Sequence, residues 1–320
     1  MDIYEWLLDP CDPSVRYRTL VELLDKGGTD EAMQAQNAIS DSPPVNKLLT
    51  SMHPDGYWLE NKKSRVVGDG ALYGMYGTPH HCLSHLAELG MDRTHPLVDK
   101  AASRYLSVQQ EDGDWIYHAS CLYSINIRTF VKLGYRNDDR VQKTIDLLLA
   151  TERFDGGYLC DPKLRKRKKP PKSCVRGSDK ALLAFSELPE YWHHERCLRL
   201  VDYFLERNGI YKNKDHSSFV CLDMQRESFP INFGTNVWEV LYALSRMGYG
   251  KDERLNDAWD VLRSRRDASG RYILGWTHGS CPWKIGKIGE PNKWVTLYGL
   301  LAEKYCRETP EIPDESEKQT

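Results

Sequence analysis

Apolar residues recur with helical spacing along most of the chain. In "LVDKAASRYLSVQQ", which begins at Leu97, and in "RVQKTIDLLLATE", which begins at Arg140, they return every three or four positions and occupy one face of a helix. In "CLYSINIRTFVKLGY", from Cys121, and "NVWEVLYALSRMGYG", from Asn236, apolar, aromatic and small residues cover more of the circumference. The first pattern predicts outer helices with a solvent-facing side, and the second predicts inner helices buried between neighbours.

Turns with a similar composition separate these helices. "HPDGYWLE", "QQEDGDWIY" and "ERFDGGYLC" each place a glycine after an acidic residue and one or more apolar or aromatic residues after the glycine, and "ERNGIY" and "RRDASGRYIL" keep a weaker form. The spacing between successive turns is roughly 43 to 61 residues, which is typical of an array of helical hairpins. The glycines at these turns are Gly56, Gly113, Gly156, Gly209 and Gly270.

A second set of turns follows the inner helices. Gly90, Gly134 and Gly248 follow their last apolar residues, and Leu188-Pro189 takes the equivalent place in another copy. Glycine readily adopts the left-handed conformation that ends many helices. The repeating unit is therefore an inner helix, a glycine turn, an outer helix and a turn of the Asp-Gly-aromatic type.

About six such hairpins predict an all-α fold, an (α/α)6 toroid with inner and outer rings of helices. The closing helix from Lys293 would pack beside the first hairpin, residues 14–39, and complete the ring. An open superhelix is the alternative, but it would need polar terminal caps that the sequence does not present. We expect one domain over residues 1–308 and a disordered polar tail over residues 309–320.

Composition narrows the function classes. Charged residues make up 28% of the 320 residues and the formal net charge is -2, so no overall positive field attracts nucleic acid. No secretory signal or apolar stretch of membrane-spanning length is present, which predicts a cytoplasmic protein with no membrane span. Nine scattered cysteines are then expected to be mostly free thiols.

One repeat carries a recognisable motif. "YLSVQQEDGDW", with Tyr105, Gln109, Gly113 and Trp115, resembles the QW-type repeat of the squalene-hopene cyclase and protein prenyltransferase superfamily. The segments "WLLDPCDPSVRYRTL", "PKSCVRGSDKALLAFSELP" and "EPNKWVTLYGLLA" look like a single-domain, squalene-cyclase-like group without an assigned reaction. The resemblance implies an α/α toroid with a central cavity.

The resemblance also implies a ligand. An elongated apolar, isoprenoid-type molecule, with or without a phosphate, would lie in the cavity, and aromatic faces would stabilise a carbocation during cyclisation or transfer. The D-x-D-D acid of these cyclases is absent, since the nearest string is "RNDDR". The alternatives are core packing for each aromatic residue and, for the protein, a non-catalytic helical-repeat scaffold that binds a peptide or small lipid. The candidate lining residues are Tyr73, Tyr76, Tyr123, Trp238, Glu239, Trp276, Trp283 and Trp294.

Reactive side chains suggest two further features. Cys121 and Cys174 each follow a serine near the start of an inner helix, where the helix dipole lowers a thiol pKa, and with Asp179 they are candidate catalytic residues. His81, Cys82 and His85 could hold zinc together with Cys121 or Cys174. The alternatives are buried structural cysteines and histidines at a helix start.

The run "KLRKRKKPPK", residues 163–172, is the one concentration of positive charge. Arg165 and Arg167, with Arg176 beyond the run, could bind a diphosphate or phosphate above the cavity. A solvated loop is the alternative, because like charges repel and proline stops a helix.

Overall fold

The computed structural model describes residues 1–59, 78–115, 119–160, 168–169, 171–231, 234–277 and 281–308. Thirteen α-helices lie in this part of the chain, and a π-helical turn, Thr19–Leu23, extends the second. They are α1 Ile3–Leu7, α2 Pro13–Arg18, α3 Asp30–Ile39, α4 Pro43–Thr50, α5 Pro79–Glu88, α6 Pro96–Ser107, α7 Ser120–Lys132, α8 Asp139–Ala150, α9 Val175–Ser186, α10 Glu195–Leu205, α11 Val237–Arg246, α12 Asn256–Arg263 and α13 Lys293–Arg307. Short 3-10 turns occupy Pro189–Tyr191, Leu222–Gln225 and Glu253–Leu255. Within these ranges β-structure is limited to isolated bridges.

Six helices form the inner ring: α2, α5, α7, α9, α11 and α13. Neighbours from α5 to α13 pack side by side, α13 packs against the π-helical turn after α2, and Arg18 of α2 bonds to Glu88 of α5 at 3.3 Å. Each of α3, α6, α8, α10 and α12 packs against the inner helix that precedes it. The predicted all-α (α/α)6 toroid is therefore confirmed, and the ring is closed rather than an open superhelix.

At three of the five turns, the aromatic residue two positions after the glycine binds the turn to the preceding helix. Trp58 Nε1 donates to the carbonyl of Leu48, and Trp115 Nε1 donates to the carbonyl of Tyr105, each over 2.8 Å and ten residues back. Tyr158 repeats this bond through its hydroxyl, which donates to a carbonyl ten residues back at 2.8 Å. The buried ring fills the gap between two hairpins while its polar atom stays satisfied.

Gln109 extends the same turn to the next repeat. Its amide nitrogen lies 3.1 Å from the carbonyl oxygen of Gly113 and 2.7 Å from that of Arg140 at the start of α8. Thr144 Oγ1 donates to the Gly113 carbonyl at 2.8 Å. The glutamine of the motif therefore has a structural role, which does not depend on any reaction.

The turn glycines have the predicted left-handed backbone, with φ of +90° at Gly113 and +79° at Gly156. Space is equally restrictive, because a β-carbon on Gly113 would lie 2.6 Å from the backbone oxygen of Lys143. A β-carbon on Gly156 would lie 2.6 Å from that of Arg199. These turns therefore sit directly on the next outer helix, and a side chain would push the two apart.

Arg18 and its partners occupy the ring axis at the end where the inner helices finish. The side chain of Arg18 is 2% exposed and donates to Tyr298 Oη of α13 at 2.8 Å. Glu88 forms ion pairs with both Arg18 and Arg128. The first, second, third and last inner helices thus share one buried polar network.

No helix in the described ranges is long and apolar enough to cross a lipid bilayer. The tail over residues 309–320 lies outside those ranges, and the single-domain boundary at residue 308 stays a prediction.

We predict that Gly113→Ala destabilises the fold far more than Gly28→Ala. Both positions have positive φ, but a β-carbon at Gly28 meets nothing within 4 Å. The free energy of unfolding should fall by about 1 kcal/mol in the Gly28 variant because of backbone strain. In the Gly113 variant it should fall by at least about 2 kcal/mol more because of the clash with Lys143. Urea unfolding of both variants measures the difference, and equal losses would contradict the described packing.

Candidate functional site

The inner helices run parallel, because each outer helix returns the chain to the same end. Their N-termini therefore meet at one end of the ring, the N-terminal pole, and their C-termini at the other, the C-terminal pole. Polar side chains from four inner helices surround the axis toward the N-terminal pole. This polar belt consists of His80, His81 and His85 of α5, Cys121 and Asn126 of α7, Asp179 and Lys180 of α9, and Glu239 of α11.

Two carboxyl groups and one amine form the most deeply buried part of the belt. Lys180 Nζ lies 2.8 Å from Asp179 Oδ2 and also contacts Glu239 Oε2, and all three side chains are fully buried. Thr235 Oγ1 donates to Asp179 Oδ2 at 2.5 Å, and Asn236 donates to Glu239 Oε1 at 2.6 Å. Neighbouring inner helices thereby fix the position of both carboxyl groups.

The surroundings of this group favour a proton on Glu239. Burial raises the pKa of Glu239 well above its ordinary value, against the attraction of Lys180, and Asp179 raises it further. Burial alone would lower the pKa of Lys180, but attraction to the two carboxyl groups outweighs burial and raises it. Asp179 Oδ1 is buried and accepts no hydrogen bond from the described residues. The group therefore contains a potential proton donor beside an available carboxyl oxygen.

Two histidines of the belt, His80 and His85, are weak bases. Burial lowers the pKa of His85 to about 3 and that of His80 to about 4, although the bond from His80 Nδ1 to Asn126 Oδ1, at 2.8 Å, favours the charged form of His80. The ring of His85 meets the ring of Trp283 edge to face, with centroids 5.1 Å apart. At neutral pH both imidazoles are uncharged.

The histidine and cysteine candidates for zinc, His81, Cys82 and His85, are buried on α5. Burial also raises the pKa of the Cys82 thiol, which disfavours the thiolate form that binds metal. Across the ranges that the structure describes, no group of three or more His, Cys, Asp or Glu is placed to hold a metal ion. A zinc site stays a prediction from the sequence.

The two candidate cysteines meet at a third that sequence reasoning missed. Cys121 and Cys174 both lie close to Cys160. Interaction with the Cys160 thiol lowers the pKa of Cys121 and raises the pKa of Cys174, and burial raises the pKa of Cys174 further. A β-carbon on Gly177 would lie 2.6 Å from Cys160 Sγ, so the third thiol is closely packed. The only feature of the sequence that pointed to Cys160 was its position at the end of the turn "ERFDGGYLC".

A pocket of about 370 Å³ lies at the N-terminal pole beside the start of α13. Trp6, Trp283 and Trp294 line it together with Asp12 and Lys293, among other residues. Burial raises the pKa of Asp12, while the ammonium of Lys293, 3.7 Å away, opposes the rise. The pocket combines tryptophan rings with carboxylate and ammonium groups, so its wall is amphipathic.

Other candidate lining residues belong to the packed core or lie at the surface. Trp238 is buried and stacks on Tyr298 at 4.2 Å, and Tyr123 is buried with its hydroxyl 3.2 Å from Thr151 Oγ1. Trp276 is half-buried and forms a backbone bridge with Ser228. Arg176 is exposed and pairs with an acidic side chain at 2.9 Å. Four candidates lie outside the described residues: Tyr73, Tyr76, Arg165 and Arg167.

Comparisons with known proteins give a fold and no family. No family model matches the chain, and no curated protein matches it. A solved structure of a glycosyl hydrolase of family 88 from Bacteroides vulgatus is similar over 95% of this chain and 98% of its own, with 16% identity and a TM-score of 0.54. A polysaccharide lyase is similar over 92% of this chain and 88% of its own, with 13% identity and a TM-score of 0.51.

These neighbours correct the family prediction. The predicted membership of the squalene-cyclase and prenyltransferase superfamily is wrong, because the solved structures reported above that share this toroid are a glycosyl hydrolase and a polysaccharide lyase. The glycine and aromatic residues that carried the resemblance secure the junctions between hairpins, as Trp115 and Gln109 do here. That structural task does not specify a reaction.

The predicted ligand is also wrong. An elongated isoprenoid needs an apolar cavity along the axis, but the described axis carries buried charges at both poles, including Arg18 and Glu88 at one and Lys180 at the other. Placing hydrocarbon against desolvated charge is unfavourable. The terpenoid cyclase or transferase interpretation is therefore set aside, and the neighbours do not favour the alternative of a peptide- or lipid-binding scaffold.

Glu227 is a further titratable group that sequence reasoning did not identify. Its side chain is 1% exposed, and neither carboxyl oxygen has a hydrogen bond to the described residues. Burial raises the pKa of Glu227 to about 8. The charge of Arg265 opposes this rise, and so does the backbone N–H of Trp238, although that N–H forms no hydrogen bond with the carboxyl oxygens. Its backbone carbonyl accepts from Gly275 N at 2.7 Å, which holds the segment in place.

We predict that Glu227→Gln removes part of the pH dependence of stability. Below pH 4.5 the carboxyl is protonated in both states; between pH 4.5 and 8 it ionises only in the unfolded chain, so stability falls as pH rises. The decrease in the free energy of unfolding that Glu227 causes is about 5 kcal/mol at most. Urea unfolding at pH 5 and pH 8.5 measures it.

The control is Glu253→Gln at an exposed carboxylate. The Glu227 variant should gain stability relative to the unaltered protein at pH 8.5, and the control should not. An unchanged difference between the two pH values in the Glu227 variant would show that this carboxyl is not desolvated as described.

Proposed function

We propose that the chain is a carbohydrate-active enzyme whose saccharide substrate binds at the N-terminal pole. The observation that carries the proposal is the buried Asp179–Lys180–Glu239 group, in which two carboxyl groups have different surroundings. Pairs of this kind divide acid and base roles in enzymes that cleave glycosidic bonds. The similarity in fold to a glycosyl hydrolase and a polysaccharide lyase supports the substrate class.

The tryptophan-lined pocket is suited to a sugar. A pyranose ring has apolar C–H faces and a rim of hydroxyl groups, so it packs on an aromatic face while its rim exchanges hydrogen bonds. Trp283 and Trp294 supply aromatic surface, and Asp12, Asn292 and Lys293 supply polar groups on the same wall. The half-buried Trp283 also contacts His85, which connects the pocket to the polar belt.

Glu239 and Asp179 would share the proton transfers. Cleavage of a glycosidic bond requires a proton for the departing oxygen, and a protonated Glu239 can supply it. Asp179 Oδ1 is available to accept a proton, from water in hydrolysis or from a sugar carbon in elimination. Lys180, 2.8 Å from Asp179 Oδ2, would hold this carboxyl group in position. Both carboxyl groups are buried in this structure, so the proposal requires the N-terminal pole to open for the substrate.

A cytoplasmic location remains part of the proposal. The nine cysteines are free thiols, which supports a reducing compartment. Fractionation of the source cells would test this directly.

We predict that purified protein cleaves at least one oligosaccharide in a panel of neutral and uronic-acid-containing chains. Hydrolysis releases reducing ends without a new chromophore, whereas elimination beside a uronate creates a carbon–carbon double bond conjugated to the carboxylate. Measuring reducing ends and ultraviolet absorbance in the same samples distinguishes the two reactions.

Asp179→Asn and Glu239→Gln should each lower kcat at least about 100-fold, because each keeps the shape but loses one proton-transfer group. Trp283→Ala should instead raise KM about ten-fold, because it removes aromatic surface from the pocket. Phe154→Ala, at an exposed residue, is the control and should leave both constants unchanged.

Thermal unfolding of each variant must first show that it folds. Retention of full activity by folded Asp179→Asn and Glu239→Gln would overturn the assigned centre. Absence of both cleavage and binding across the saccharide panel would overturn the proposed function itself.

A further inference from the structure

Buried and half-buried charged side chains form a cluster at the C-terminal pole, in which four cations contact three carboxylates. Its seven charged members come from the ends of α2, α5, α7, α9 and α11 and from the π-helical turn. The carboxylates are Glu22, Glu88 and Glu187, and the cations are Arg18, Arg128, Lys132 and Arg246.

The arginines already neutralise the carboxylates. Arg18 holds Glu22 with two bonds, of 2.5 and 2.8 Å. Arg246 NH1 lies 2.7 Å from Glu187 Oε2. Glu88 forms its ion pair with Arg128 and also lies 3.3 Å from Arg18. Bonds of this kind between guanidinium and carboxylate are the strong pairs of protein interiors.

Lys132 has no carboxylate of its own in this cluster. Its closest charged partner is Glu88 Oε2 at 4.0 Å, and that carboxylate is shared with Arg18 and Arg128. Burial lowers the pKa of Lys132 well below its ordinary value, and the two arginines lower it further, although Glu22 and Glu187 act in the opposite direction. The surroundings therefore penalise a charge on this amine.

Lys132 also lines a pocket of about 280 Å³. Arg18, Arg246, Tyr17 and Tyr305 share the wall, so cationic and phenolic groups face one space. The pocket also has acidic residues: Glu22 and Glu187, whose pairs are given above, and Asp92. Asp92 Oδ1 accepts from the backbone N and the hydroxyl of Thr94 at 2.8 and 2.6 Å, so its own turn engages that carboxylate.

We propose that this pocket binds a small anion, a phosphate- or carboxylate-bearing molecule, and that Lys132 is the cation that the anion neutralises. The bound anion would contribute the negative charge that the cluster lacks, and the arginines and tyrosines would donate hydrogen bonds to it. The site lies at the opposite pole from the proposed saccharide site and does not depend on that proposal.

The test uses inorganic phosphate and acetate as probes at constant ionic strength, with sodium chloride as the reference salt. Phosphate should raise the Tm of the unaltered protein above that in sodium chloride, because a ligand that binds only the folded state stabilises it. Lys132→Met should bind phosphate at least ten-fold more weakly. In the absence of phosphate it should be as stable as the unaltered protein or more so, because it removes a penalised charge.

The matched control is Lys47→Met, since Lys47 also lies in the last turn of a helix but is exposed. It should respond to phosphate as the unaltered protein does. A response to acetate as well would assign the site to carboxylates in addition to phosphates, and a response to phosphate alone would assign it to phosphates.

Nuclear magnetic resonance of the unaltered protein with carbon-13-methylated lysines gives a second readout, independent of folding of the variant. The pKa of Lys132 should rise when phosphate binds. An equal Tm increase in the Lys132→Met variant, no increase beyond that in sodium chloride, or an unchanged Lys132 pKa in saturating phosphate would overturn the proposal.

Discussion

Arg18 joins the first inner helix to the last, and the closed ring depends on this junction. Its guanidinium donates to Tyr298, 280 residues later in the chain, and pairs with Glu22 and Glu88. A buried guanidinium is costly unless its hydrogen bonds are satisfied, and here two other inner helices, α5 and α13, and the π-helical turn supply the partners. The ring therefore closes through polar contacts at its axis as well as through apolar packing between neighbours.

The charged residues of the inner helices follow the direction of the helix dipoles. The inner helices α2, α7 and α11 end with Arg18, Lys132 and Arg246, where the negative end of each helix dipole favours a cation. Near the N-terminal pole, Glu239 lies in the first turn of α11, where the positive end of the dipole favours a carboxylate, and Asp179 lies one turn into α9. The parallel inner helices thus favour opposite charges at the two poles.

The sequence was sufficient for the architecture because the relevant signals are local. Helical periodicity, left-handed glycines and an aromatic residue two positions after a turn glycine each act within a few residues, and Trp58 and Trp115 make the same bond in successive repeats. The ligand class, by contrast, depends on contacts between residues that are distant in the sequence. Trp238 is a residue type that often lines cavities, yet it stacks on Tyr298. The relative rotation of neighbouring inner helices decides which of their faces meet.

The candidate site was only partly predictable for the same reason. Asp179 and Glu239 were identified as separate candidates, but Lys180, which brings them together, is conspicuous only when α9 and α11 are side by side. Cys160 and Glu227 lie in irregular segments, where no periodicity indicates the direction of a side chain.

Burial disfavours the charged form of titratable groups at both poles, but the chemical result differs between them. It favours the neutral form of Glu239, which is an acid, and of Lys132, which is a base. A neutral acid near the axis can donate a proton to a departing group, whereas a penalised ammonium gains stability from an incoming anion. The two proposals therefore have one physical basis, the desolvation of charged groups along the axis: it would favour proton transfer at the pole with Glu239 and anion binding at the pole with Lys132.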